Sequence, residues 1–361
     1  MLRRSKVFSW CLLACMVLTG CQSNSDKGVQ DTSERGEDEK RIENQVKEPV
    51  SQDIFAMDTY MTVTAYGDTA QEAVSEAVEE IQRLDALLST GNENSEVYKL
   101  NQAGGGTLSE DTCYLLERSL ELWKDTDGRF EVGIYPVMQA WGFTDGEYQV
   151  PSGEELQQLI ALADSSKISL DEENSAVTFG LEGMEIDLGG IAKGYTSSRI
   201  MDIYREHGVS SGLVSLGGNV QVMGSRPDGN PWRVAIQNPS GGDDYLGVLE
   251  AEDCAVITSG GYERYFEEDG IVYHHIIDPG TGYPADSSLT SVTIVSPDGT
   301  LADGLSTSLF IMGREEAERY WQQHSGEFDV ILLDRDENLY ITEGIADQFT
   351  SEREIQVIEK G

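Results

Sequence analysis

Thr290-Ser291-Val292-Thr293-Ile294-Val295-Ser296 reads as a strand, and Leu301-Ala302-Asp303-Gly304-Leu305-Ser306-Thr307-Ser308-Leu309-Phe310 reads as the helix that follows it. The pattern predicts a helix over 301–312 and another over 314–324. Strands at 328–333 and 338–342 then flank the hairpin turn Asp334-Arg335-Asp336-Glu337-Asn338. A strand, two helices and two hairpin-joined strands do not make the regular alternation of a parallel sheet. Working outward toward the N-terminus, further strands are expected at 57–66, 167–170, 175–181, 184–187, 212–223, 232–237, 245–250, 254–258 and 271–277. A helix opens with the capping box Thr69-Ala70-Gln71-Glu72 and carries Val74, Ala77, Val78, Ile81, Leu84 and Leu88 as its apolar stripe. Leu115, Leu116, Leu120 and Trp123 mark another, closed by Asp127-Gly128, and further helices are expected at 154–163 and 190–207. The fold class is α+β, with mixed, largely antiparallel sheets and packed helices.

The helix at 301–312 also carries chemistry. Asp303 and Thr307 stand four residues apart, so their oxygens face the same way. Nearby, His274-His275-Ile276-Ile277-Asp278-Pro279-Gly280-Thr281-Gly282-Tyr283-Pro284 runs from a strand into a rigid turn. If Ile276 points to the core, His275 points away from it and toward a site. Hard oxygen ligands suit Mg²⁺ or Ca²⁺, and the scarcity of cysteine argues against zinc. Metal-assisted chemistry on a phosphorylated molecule is the resulting expectation.

The N-terminus gives the compartment. Arg3, Arg4 and Lys6 precede an apolar stretch over 7–18 that is too short to span a bilayer as a stable helix. It ends in Leu18-Thr19-Gly20-Cys21, which resembles a bacterial lipoprotein box and implies cleavage before Cys21 and lipidation of its thiol. Residues 1–20 are then a signal peptide. Residues 21–52, nearly free of apolar side chains, are a lipidated cysteine with a disordered tether, and 53–361 form one domain. The expected location is the outer side of the cytoplasmic membrane, held by the lipid. Cys113 and Cys254, the remaining cysteines of the mature chain, form no disulfide framework; a single bridge between them stays open, and buried free thiols are the favoured reading. The formal net charge of −40 repels nucleic acid and anionic lipid. A phosphate ligand would therefore need local compensation from a metal or from backbone N–H groups at a helix start.

Asp187-Leu188-Gly189-Gly190-Ile191-Ala192-Lys193-Gly194 offers that start: a strand ending in a carboxylate, paired glycines, a helix and one lysine. Tight strand–helix packing explains the glycines equally well at this stage. The segment is neither a Walker loop nor a dinucleotide fingerprint. Val214-Ser215-Leu216-Gly217-Gly218-Asn219 and Thr258-Ser259-Gly260-Gly261 are two more strands that end in glycine pairs. Gly208-Val209-Ser210-Ser211-Gly212 matches the serine-hydrolase pattern, but it leaves a helix and enters a strand, the reverse of a nucleophile elbow. Asp334 to Asn338 resembles the start of a calcium loop, yet Leu339 takes the glycine position and Ile345 that of the bidentate acid.

These segments, with Met57-Asp58-Thr59, Leu88-Ser89-Thr90, Phe130-Glu131-Val132-Gly133-Ile134-Tyr135-Pro136, Trp141-Gly142-Phe143 and Ala302-Asp303, resemble the ApbE family of FAD:protein FMN transferases. The resemblance covers nearly everything from Phe55 to Gly313. It implies a two-lobed single domain of T-fold-like type over 53–361 and Mg²⁺-dependent transfer of FMN from FAD to a Ser or Thr hydroxyl of an acceptor flavoprotein, releasing AMP. By position, Met57, Gly91, Trp141, Gly142, Phe143, Asp187, Lys193 and Ile277 would contact FAD. Asp303 and Thr307 would bind Mg²⁺ through side chains, with backbone oxygens of Gly190 and Ser306, and His275 would be catalytic. The acceptor would carry an Asp-x-x-Ser/Thr-Gly-Ala-Thr type motif. Asp278-Pro279-Gly280-Thr281-Gly282 begins like that motif but continues Tyr-Pro, and is read as a turn. Many members carry an aromatic at the position of Gly91. Its absence leaves an FAD pyrophosphatase giving FMN and AMP open beside transfer; a flavin-scavenging lipoprotein that binds FAD without turnover is a further alternative, against which His275, Asp303 and Thr307 speak.

Overall fold

The computed structural model describes residues 48–242 and 244–361; the signal segment, Cys21 and nearly all of the tether lie outside them. β1 (Val50–Ala56) and β2 (Thr59–Ala65) form a hairpin, followed by α1 (Ala70–Leu88), α2 (Glu96–Ala103), β3 (Gly105–Thr107) and α3 (Glu110–Asp125). Next come α4 (Tyr135–Trp141), α5 (Gly153–Ile160), β4 (Ile168–Asp171), β5 (Ala176–Phe179) and α6 (Ala192–Glu206). Two hairpins follow, β6 (Gly212–Leu216) with β7 (Asn219–Met223), and β8 (Trp232–Gln237) with β9 (Tyr245–Ala251). β10 (Ala255–Ser259) precedes the short hairpin β11 (Tyr265–Glu268) and β12 (Ile271–His274), and then β13 (Leu289–Ser296). α7 (Gly299–Met312) and α8 (Arg314–His324) lead to β14 (Asp329–Asp334), β15 (Leu339–Thr342), β16 (Phe349–Thr350) and β17 (Ile355–Ile358).

Nine strands make the main sheet, in the order β1-β2-β6-β7-β10-β13-β14-β15-β17. Its ladders are antiparallel except the last, where β15 pairs parallel with β17. The central strands are buried on both faces, which is why their sequences read as continuous apolar runs. In β13, Val292 and Ile294 enter the core under α7, while Val295 packs on the opposite side. Val330 and Leu332 of β14 alternate in the same way with Ile331 and Leu333. That opposite face is covered by the three-stranded sheet β16-β9-β8. α1 and α6 cover the β1-β2-β6 end on the helical side. The result is α+β, with helices on one face and a small sheet on the other.

Five expectations need correction. Residues 57–66 are not one strand: Ala56 pairs with Thr59, so Met57 and Asp58 are a two-residue turn. Both have positive φ, 47° and 58°, as a type I′ turn requires, at a cost of roughly 1–2 kcal/mol for each non-glycine residue. Residues 184–187 are extended but belong to no ladder. The Asn101 side chain substitutes for a neighbouring strand, accepting from Ile186 N at 2.8 Å and donating to Ile186 O at 2.9 Å. Thr69 forms no capping box: its hydroxyl donates to His207 O at 2.7 Å, tying the start of α1 to the end of α6. β1 starts at Val50, so Val50 to Gln52 belong to the sheet rather than to the tether. The expected strand at 212–223 is the β6–β7 hairpin, with Gly217 and Gly218 (φ 63° and 100°) as its turn. Cys113 and Cys254 are unpaired and half-buried.

Candidate active site

The paired β1–β2 and β6–β7 turns, the approach to α6 and the loop after β10 surround one cleft of about 490 Å³, within the usual range for small-molecule sites. Met57, Gly91, Phe143, Asp187, Lys193 and His275 line it.

The approach to α6 shapes one wall. Asp187 N donates to Val132 O at 2.8 Å, and its own Oδ1 accepts from Gly189 N at 2.8 Å. This Asx-type turn presents Gly189 backbone to the cleft. Lys193 Nζ lies 3.4 Å from Gly189 O, a long contact that leaves the ammonium able to serve a ligand. Burial pushes the Asp187 carboxyl above its ordinary range, against the pull of the Gly189 N–H, Arg264 and Lys193.

His275 follows β12. Its backbone N–H donates to Arg264 O at 3.1 Å, and its Nδ1 lies 3.2 Å from the same oxygen. A carbonyl can only accept, so Nδ1 carries the proton and Nε2 keeps the lone pair. Burial first, then the positive charge of Arg264, holds the His275 pKa well below 6.5, so the ring is neutral near pH 7. Ile276 is buried in the main core, which turns His275 to the opposite side as its alternation implied. The neighbouring His274 packs edge-on against Phe310, ring centroids 5.7 Å apart, and is not a wall residue.

Trp141, Gly142 and Ile277 do not line the cleft. Trp141 is fully buried and its indole N–H donates to Gly282 O at 2.8 Å. Gly142 caps α4 with φ 75°, and a Cβ there would meet Glu147 O at 2.2 Å, so the glycine is required by the chain itself. Ile277 bridges to Pro284 and packs with Trp141 and Phe143. These residues form the support behind Phe143, whose ring stands 6.4 Å from that of His275.

The expected metal ligands sit where α7 crosses the first turn of α6. A Cβ on Gly194 would lie 2.1 Å from Gly299 O and 2.6 Å from Asp303 Cβ, so glycine permits the crossing. Asp303 Oδ2 accepts from Gly194 N at 2.8 Å and Oδ1 from Asn219 Nδ2 at 3.0 Å. The carboxylate thus serves α6 as an N-cap supplied by another helix, and each oxygen retains a further lone pair. Thr307 makes only a 3.4 Å contact, to Ser259 Oγ. Ser306 is fully buried and its hydroxyl donates to Asp303 O at 2.7 Å, so its expected part in the set is one for its backbone oxygen alone. Among the described residues, no three His, Cys, Asp or Glu side chains gather to hold a metal. Asp303, Thr307 and Gly190 do not themselves line the cleft; as one carboxylate, one hydroxyl and one backbone carbonyl they are hard oxygen donors of the kind Mg²⁺ takes when it keeps part of its shell for substrate phosphates.

Three charged wall residues were not singled out in the sequence. Glu263 and Arg264 follow the Gly260-Gly261 pair, and Asp85 stands on α1. Burial raises the Glu263 pKa to about 7, opposed by Lys193 and Arg264 and reinforced by Asp303. A charged pair one residue beyond a strand-ending glycine pair was the available signal. Asp85 had none, because it sits between Leu84 and Leu88 of an ordinary helical stripe.

The ApbE family pattern matches residues 57–332, and the chain belongs to that family. The FAD:protein FMN transferase of Treponema pallidum (strain Nichols) is 32% identical over 311 residues, spanning 80% of this chain and 86% of its own length. That of Klebsiella pneumoniae (strain 342) is 33% identical over 266 residues, spanning 73% and 82%. Among solved structures, the ApbE protein from Thermotoga maritima matches with a TM-score of 0.79 at 30% identity, over 85% of this chain and 100% of its own. The flavin transferase ApbE from Vibrio cholerae gives 0.75 at 25% identity, over 83% and 99%.

Proposed function

We propose that this chain is an FAD:protein FMN transferase that moves FMN from FAD to a Ser or Thr hydroxyl of an acceptor flavoprotein and releases AMP. The observation that carries the reading is His275, a neutral imidazole with Nδ1 fixed by Arg264 O, in a cleft shared with Lys193 and the Gly189 backbone. In this scheme the acceptor oxygen bonds to the FMN-side phosphorus, the bond to the bridging oxygen breaks, and AMP carries that oxygen away. Such displacements depend on positioning and charge neutralisation more than on covalent help. His275 Nε2 takes the hydroxyl proton, a general-base contribution of ~10²–10⁴-fold. Lys193 and Arg264 supply positive charge in an otherwise acidic chain, and Phe143 and Met57 give the flavin an apolar wall. Asp303, Thr307 and the Gly190 carbonyl are the residues to hold Mg²⁺, which when bound offsets charge on the pyrophosphate oxygens.

The acceptor is proposed to present an Asp-x-x-Ser/Thr-Gly-Ala-Thr type segment. The enzyme is proposed to work outside the cytoplasmic membrane, anchored through lipidated Cys21. A second reading, FAD hydrolysis to FMN and AMP, is favoured by one observation: Gly91 is exposed at the cleft and no atom lies within 4 Å of a Cβ built there, so nothing of its own covers the site. The test is incubation with FAD and Mg²⁺, with and without such an acceptor. AMP released only with acceptor, alongside fluorescent acceptor protein, supports transfer, and equal release without it supports hydrolysis. His275→Asn should retain FAD binding and lose transfer by ~10²-fold or more. Full activity in that variant removes the base from the scheme.

A further inference from the structure

The turn between β1 and β2 has a conformation its residues do not favour. Type I′ turns take Asn-Gly or Gly-Gly because both central residues need positive φ. Here they are Met57 and Asp58, at 47° and 58°. Strained backbone of this kind persists only where its surroundings over-determine it, and it gathers at ligand sites.

The surroundings hold this turn from two sides. From α1, Asp85 Oδ1 accepts from Met57 N at 2.9 Å. From the β6–β7 turn, Gly217 N donates to Tyr60 O at 3.1 Å. A Cβ on Gly217 would meet Thr59 Oγ1 at 2.5 Å, so that turn is pressed against the first. The side chain of Met57 is located as well, with Thr196 Oγ1 3.9 Å from its sulfur. The outcome is a continuous stretch of cleft wall, Met57 to Tyr60, with Asp85 beside it. An acidic residue is a poor choice for the wall of a site that takes an anionic dinucleotide, in a chain of net charge −40. Its hydrogen bond to Met57 supplies a reason for it to be there.

Resting on the FAD-dependent reading above, we propose that Asp85 is a positioning residue: its carboxylate oxygen fixes the left-handed Met57–Asp58 turn and, through that turn, the wall against which FAD binds. It takes no part in phosphoryl transfer. Charge and hydrogen bonding can be separated, because an amide oxygen accepts as a carboxylate oxygen does.

The test uses the full chain in detergent, with FAD affinity read from flavin fluorescence and KM and kcat from transfer to the acceptor. Asp85→Asn, which keeps the acceptor oxygen and removes a negative charge from the wall, should bind FAD at least as tightly as wild type, and Asp85→Ala about tenfold more weakly, with kcat at saturating FAD nearly unchanged. Adding Asp58→Gly, which makes positive φ inexpensive at the second turn position, should return the Asp85→Ala protein to within about threefold of wild type. Equal weakening by Asn and Ala overturns the proposal, as does wild-type affinity in Asp85→Ala. A melting temperature restored by Asp58→Gly without restored affinity reduces Asp85 to a fold prop and also overturns it. If Asp85→Ala alone does not fold, the double variant decides, since folded protein that still binds FAD tenfold worse contradicts the idea. Failure of the transfer reading appears elsewhere, as wild-type protein that binds FAD and modifies no acceptor.

Discussion

Arg264 O engages both the backbone N–H and the Nδ1 of His275, so one peptide carbonyl sets the register of the residue and the tautomer of its ring. With the His275 pKa held well below 6.5 by burial and by Arg264, the ring loses its lone pair only in more acidic solution than an ordinary histidine. The acid limb of a pH–rate profile for transfer should therefore fall below pH 6.5, and a limb at or above that value would contradict the assignment. Glu263 behaves oppositely. Its folded pKa, about 7, lies above its ordinary 4.5, so the folded state holds the proton more tightly. The contribution to stability is complete below 4.5 and is lost as pH rises through about 7. Glu263→Gln should therefore gain melting temperature over wild type on going from about pH 5 to about pH 8. A pH-independent difference would show that Glu263 is not titrating there. At Gly91, where φ is ordinary and space is open, Gly91→Tyr should fold normally and, by covering the flavin, tighten FAD binding by about three- to tenfold while slowing hydrolysis. Unchanged affinity would mean the ring points away from the ligand.

Helix α7 meets α6 through glycine on each side, Gly299 and Gly194, and the carboxylate of Asp303 spans the junction. Gly194→Ala would drive a Cβ to 2.1 Å from a backbone oxygen, and should cost about 3 kcal/mol by forcing the helices apart. Chemical denaturation can measure this; a cost under about 1 kcal/mol would show that the junction yields. Elements of this kind were legible in the sequence to very different degrees. α7, α8 and the strands β13 and β14 were readable because β-branched runs and helical spacing agree with their burial. The β1–β2 turn was not, because Met-Asp lacks the turn chemistry that normally signals a type I′ hairpin and long-range contacts enforce it. The 184–187 segment looked like a strand because it is extended and buried, but its partner is the side chain of Asn101, eighty-five positions away. The candidate site divides in the same manner. Asp187, Lys193 and His275 announced themselves by local pattern. Trp141 and Ile277 carried the right pattern yet pack behind the wall, and Asp85 carried no pattern at all.

At the scale of the whole molecule, a net charge of −40 makes the folded surface repel itself. Raising ionic strength from about 0.02 M to about 0.2 M should increase the melting temperature by a few degrees as that repulsion is screened; an unchanged value would show that local ion pairs already neutralise it. Sheet order has a kinetic consequence. β2 lies beside β6, with Met61 opposite Leu216, so the two hairpins whose turns form the cleft wall are distant in sequence. His275 arrives still later, ahead of β13. Pairings of such separation place a protein among slow folders, on the millisecond-to-second scale or beyond. The cleft has no complete local subset that could assemble early. Flavin capture should therefore appear only with the slowest refolding phase, so that a chain able to hold FAD is a chain that has finished folding.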